Sequence, residues 1–132
     1  MKYVLPVSRL LLGLIFFVFG LNSILHFLPT AYPTGDALTW YGIMAAHGWM
    51  NFIGVLTIIA GLLLLVGRFV PLALLLLAPV ITNILLYHVL LWPHGYIPAI
   101  IVTVLEVILL IAYHRSFLPL FVPDPTAAVP KL

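Results

Sequence analysis

Apolar residues run along the chain in four long stretches, at about 4–28, 49–66, 69–92 and 97–115, and the polar positions collect between them. A helix needs about 20 apolar residues to cross the hydrocarbon of a bilayer, and each stretch is close to that length. Punctuation between the runs agrees: Pro29 closes the first, Gly67 and Arg68 close the second, and "PHGY" turns the chain after the third. The pattern predicts an all-α, polytopic membrane protein: an antiparallel bundle of four transmembrane helices in one domain, residues 1–118. A Pro-rich cytoplasmic tail over 119–132, extended or disordered, is expected to follow. Within the 29–48 loop, "ALTWYGIMAAHGW" has the length and mixed polarity of a short helix lying at the membrane interface.

Composition sharpens this picture. Of 132 residues, 65% are hydrophobic and 6% charged, far from the balance of a soluble domain. The lipid bilayer is therefore the first partner, and the net charge of +2 carries topology and does not imply nucleic acid. Lys2, Arg9, Arg68, Arg115 and Lys131 fall on the side of the termini and of the turn between the second and third runs, while the opposite loops hold only Asp36. Both termini are expected in the cytoplasm, with the 29–48 loop outside. The chain has no cysteine, which excludes disulfides, thiol relays and zinc-thiolate sites. The start "MKYVLPVSRLLLGLIFFVFG" has the basic end of a signal peptide, but its apolar run is too long and no small-residue cleavage site follows, so it is read as the first span.

Inside the runs, small and polar residues stand out. Gly13 and Gly20, and Gly54 and Gly61, are each seven apart, which puts each pair nearly on one helical face and predicts close helix approach. Glu106 lies about nine residues from either end of its run, roughly 13 Å deep at about 1.5 Å per residue. A carboxylate at that depth is expected to face the bundle interior, either paired or protonated, with Thr103 and Tyr113 near the same face. Arg9 shares a stripe with Gly13 and Gly20, and two readings stay open for it: pairing with Glu106, or snorkelling to the cytoplasmic surface. Pro79 predicts a kink, with Asn83 one turn later as a buried polar residue able to bond a freed carbonyl or a neighbouring helix.

Four of the five histidines gather towards the predicted extracytoplasmic side. His26, His47, His88 and His94 are weak candidates for a cofactor site, by contact with a quinone carbonyl or an axial position on a haem or chlorin. The alternative for all four is interfacial hydrogen bonding. No HxxxH or HExxH spacing is present, so no metal site is expected. Trp40, Tyr41, Trp49, Trp92 and Tyr96 mark the same level as headgroup anchors, with Trp40 and Trp49 as candidates for contact with another subunit.

The strings "SRLLLGLIFFVFGLN", "IIAGLLLLVGRFVPLALLLLAPVITNILLYH" and "LEVILLIAYHRSFLPLF", in that order over nearly the whole chain, resemble the DoxX family of small four-helix bacterial membrane proteins. The resemblance implies a four-helix fold in the bacterial inner membrane. It also implies association with membrane redox systems, since related DoxD-type proteins are subunits of a thiosulfate to quinone oxidoreductase. Thr57 stands where such proteins commonly carry a glutamate before "IIAG", so no mechanism of two facing carboxylates is implied. Fold is weak evidence for chemistry, and the chain shows no nucleophile and base pair and few ionisable groups. The favoured expectation is an accessory subunit without catalysis of its own, held in a larger membrane redox or quinone-linked complex. The alternative expectation is a binding or transport protein, taking a quinone-like molecule, a lipid or a proton into the bundle interior around Glu106.

Overall fold

The computed structural model describes residues 2–29 and 32–127, and these are helical with no strand among them. Helices α1 (Val4–Leu25), α3 (Trp49–Val66), α4 (Val70–Leu86) and α5 (Ile97–Ala112) are long and apolar. Helix α2 (Gly35–Ala46) fills the first loop, and α6 (His114–Phe117) follows α5. Three helical stretches are long and apolar enough to cross a membrane, Val4–Leu25, Trp49–Val66 and Val70–Leu91. The count becomes four if Ile97–Ala112 and His114–Phe121, bent by 80° at the break between them, make one span. Several apolar helices of this kind suggest a multi-pass membrane protein. Their outward faces are apolar as well, with Leu14, Phe52, Leu72 and Val104 all exposed, as lipid contact requires.

The four long helices share one core, in which Leu12 and Phe16 of α1 meet Leu64 of α3, Leu74 and Leu77 of α4, and Leu105 and Leu109 of α5. The seam between α1 and α3 is closest. A Cβ on Gly61 would lie 2.7 Å from the Phe17 amide nitrogen and 2.8 Å from the Gly13 carbonyl oxygen; one on Gly20 would lie 2.6 Å from Thr57 Oγ1 and 2.9 Å from the Gly54 carbonyl oxygen. As the numbers rise on α1 from 13 to 20 they fall on α3 from 61 to 54, so these two helices run antiparallel. The stripes of glycine therefore serve the close approach that their spacing predicts.

The ends of the helices differ from the expected ones in instructive ways. Helix α1 stops at Leu25 and not near Pro29, because His26 takes a left-handed conformation (φ 54°) and donates its N–H to the Asn22 carbonyl. Asn22 Oδ1 then accepts the Leu28 N–H at 2.7 Å, holding the exit strand. Helix α3 ends where Gly67 (φ 79°) turns the chain, and the Gly67 and Arg68 amides both donate to the Leu63 carbonyl. Pro79 lies inside helix α4, which is followed by a π-helical turn over Tyr87–Leu91 closed by the Trp92 amide on the Tyr87 carbonyl. The fourth run is not one straight helix to 115: α5 ends at Ala112, the chain breaks at Tyr113, and α6 leads into a short 3-10 turn, Leu118–Phe121. That turn makes the start of the expected extended tail helical. The tail is described only to residue 127, and Lys131 lies outside the described residues.

Candidate functional site

At the α2 end of the molecule the helices leave a cavity of about 680 Å³. Helix α1 contributes its last turns to the wall and α3 its first two. Helix α4 and the start of the π turn give the stretch from Pro79 to His88, and α2 adds Trp40, Tyr41 and Met44 to the wall. Beyond Gly20 the close approach continues with Ser23 and Ile24 against Gly54, and before Gly54 the α3 positions on the cavity wall are the bulky Trp49, Met50 and Ile53. Helix α2 is held over the gap by aromatic contact, the Trp40 and Tyr87 rings lying 5.2 Å apart at 37°. A volume of this size is typical of small-molecule sites, which are mostly apolar with a few placed polar groups.

The polar groups on the wall are Asn22, Ser23, His26, Thr57, Asn83 and His88, together with the indole and phenol heads of Tyr32, Trp40, Tyr41, Trp49 and Tyr87. None of the lining residues is Asp, Glu, Lys or Arg. Several of these groups are already engaged. Thr57, buried, donates to the Gly54 carbonyl at 3.0 Å, and Ser23 to the Phe19 carbonyl at 3.1 Å. His88 Nδ1 lies 3.1 Å from the Trp92 carbonyl oxygen, just past the π turn. Asn83, expected as a buried polar residue, is instead exposed on the cavity wall. The groove-like opening keeps it solvent-accessible, although it stands one turn past Pro79 as its position in the sequence implies.

The four candidate histidines separate. His26 and His88 line the cavity, whereas His47 caps α2 through its backbone amide on the Ile43 carbonyl, and His94 packs edge-on against Trp92 at 4.8 Å between centroids. Among the described residues no three His, Asp or Glu side chains come together as a possible metal site. Trp40 is half-buried against Tyr87 and not a free outer face; Trp49 is 58% exposed and reaches the cavity rim.

Arg9 and Glu106 stand apart from this cavity and from each other. Arg9 Nη1 donates to the Leu64 carbonyl at 2.5 Å and reaches the Leu65 carbonyl at 3.5 Å. It therefore does not pair with Glu106: half-buried, it extends the glycine seam and satisfies carbonyls of the last turn of α3, where a cation is favoured. Glu106 is 4% exposed on the inner face of α5, between Val102 and Leu109, and neither of its oxygens has a hydrogen-bond partner among the described residues. Thr103 is turned to its own helix and donates to the Ala99 carbonyl at 2.6 Å. A second, smaller cavity of about 230 Å³ lies beside the first, sharing Phe16, Phe19, Ile84 and His88 and reaching α5 at Ala99 and Val102.

Tyr87 and the π turn are the parts of the site that the hydrophobic pattern does not single out. A usable signal exists in hindsight: Asn22, Asn83 and His88 all fall in the α2-end turns of their helices, each embedded in an otherwise apolar run. No family model, no curated protein and no solved structure matches this chain.

Proposed function

We propose that this protein is a four-span protein of the bacterial inner membrane that binds a small amphipathic molecule in the cavity beneath α2. The carrying observation is the cavity itself: about 680 Å³, apolar for most of its wall, with a few polar groups among the lining residues. In this reading α2 lies along the extracytoplasmic interface as a cover, and both termini are cytoplasmic. The run of Lys2, Arg9, Arg68 and Arg115 at the opposite end supports that orientation. Reporter fusions at the C-terminus test it; activity of a periplasm-only reporter there overturns it.

The binding reading is tested by purifying the protein from native membranes in mild detergent and extracting what co-purifies for mass spectrometry. A discrete small molecule is expected, depleted in an Asn83→Trp variant that fills the cavity while α-helical content is retained. Lipid background alone, the same in both proteins, removes the reading. The DoxX-like accessory role is a second reading, favoured by the neighbouring exposed faces of Trp49 and Phe52 at the start of α3. Native electrophoresis separates the two: migration with a large membrane complex, released by Trp49→Ala and Phe52→Ala, supports the subunit role.

A further inference from the structure

The wall of the cavity carries information about the head of its ligand, if the binding reading above holds. A carbonyl oxygen only accepts, so the contact between His88 Nδ1 and the Trp92 carbonyl assigns the proton of the neutral ring to Nδ1. Nε2 is then a lone-pair nitrogen, able to accept and not to donate. Ser23 and Thr57 point the same way, because each hydroxyl hydrogen already goes to a carbonyl of its own helix, Phe19 and Gly54 respectively. Their oxygens keep only acceptor capacity towards the cavity. Donors remain on the wall as well, in the amide groups of Asn22 and Asn83, the indoles of Trp40 and Trp49 and the hydroxyls of Tyr32, Tyr41 and Tyr87. A ligand oxygen that only accepts uses those donors, covers the acceptors and leaves them unmatched. A hydroxyl uses both kinds. The absence of Asp, Glu, Lys and Arg from the lining bears on charge, since an ionised head would enter an apolar cavity without a counter-ion.

We infer that the cavity selects an uncharged amphipath whose head is a hydroxyl, an alcohol or phenol on an apolar body, with His88 Nε2 accepting its hydrogen. The aromatic pair of Trp40 and Tyr87 suits a flat ring at that level. Carboxylates and ammonium heads are rejected by desolvation, and ethers and ketones by the missing donor.

The test uses the full chain in nanodiscs, with para-hexylphenol, its methyl ether para-hexylanisole and the anion para-hexylbenzoate as probes. Saturable change in tryptophan emission is read, corrected for partitioning into empty discs. The phenol is expected to bind about tenfold more tightly than the ether, the scale of one hydrogen bond in a dry site, and the benzoate not to saturate. His88→Leu is expected to abolish the preference, weakening the phenol and relieving the ether of an unmatched acceptor, and His88→Gln, which keeps an acceptor, to retain part of it. Nitrogen NMR of the imidazole provides a measurement on the unaltered protein: Nδ1 protonated, with the Nε2 resonance shifted by the phenol and not by the ether. Equal binding of phenol and ether, or a ring protonated at Nε2, overturns the hydroxyl inference and leaves the cavity reading standing. Absence of saturable binding by all three probes, with no effect of Asn83→Trp, removes both.

Discussion

Gly61→Ala is the sharpest perturbation of the seam that holds α1 to α3. The added Cβ meets the Phe17 amide nitrogen at 2.7 Å, the Gly13 carbonyl oxygen at 2.8 Å and the Phe17 Cα at 3.1 Å. All three are backbone atoms, so no rotamer change relieves the clash and the helices must separate. Overpacking of this kind costs about 1–3 kcal/mol, and contacts to backbone place it near the upper end. The intrinsic preference of a helix for Ala over Gly offsets roughly 1 kcal/mol, leaving a net loss of about 2 kcal/mol. Gly42→Ala is the matched control, since nothing lies within 4 Å of a Cβ there and Gly42 sits inside α2. It is expected to be neutral or to stabilise by up to about 1 kcal/mol. Reversible unfolding in mixed micelles, followed by helical circular dichroism against the fraction of denaturing detergent, measures both. An unchanged midpoint for Gly61→Ala, or an equal loss for Gly42→Ala, refutes the close seam. Arg9 adds an internal check: it bonds to α3 at Leu64, three residues beyond Gly61, so spreading the helices weakens that bond too. Gly61→Ala and Arg9→Met should therefore combine with less than additive loss.

The remaining expectations concern the two isolated charges and the cover. Glu106→Leu is expected to raise stability by about 1–3 kcal/mol, because both carboxyl oxygens are buried without partners, while Glu106→Gln keeps two buried polar groups and gains little. The same detergent titration decides, and a Leu variant less stable than the Gln variant shows that the carboxyl has a partner. Arg9→Met is expected to lose about 1.5–3 kcal/mol through its bonds to the end of α3, with Arg9→Lys recovering only part, since both bonds come from the terminal Nη1 and the lysine side chain is shorter. Trp40→Ala removes the contact that holds α2 on Tyr87; faster hydrogen exchange confined to α2, with α1 and α3 protected, is the expected readout. Uniform exchange changes across all helices would instead assign Trp40 to the core.

Much of the architecture lies in one-dimensional pattern. Runs of about 20 apolar residues set the number and placement of the long helices, and that inference needs no tertiary information. The seam was legible as well, because residues without a Cβ on one helical face are of use only where another backbone approaches. The stripe shared by Arg9, Gly13 and Gly20 already put Arg9 on that face. What it bonds there was not legible: a long side chain reaches a paired carboxylate, the surface or a helix end equally well, and the position of the α3 carbonyls decides among them. The break at Tyr113 was hidden for a related reason, since the apolar run of α5 reaches Tyr113 and no Gly or Pro marks where the helix ends. In a membrane helix the lipid-facing and core-facing sides are both apolar, so hydropathy carries little rotational information, and the orientation of Asn83 and His88 followed only from packing. The cavity is the extreme case. It is volume left unfilled by α1, α2, α3 and α4 together, and no residue encodes it alone.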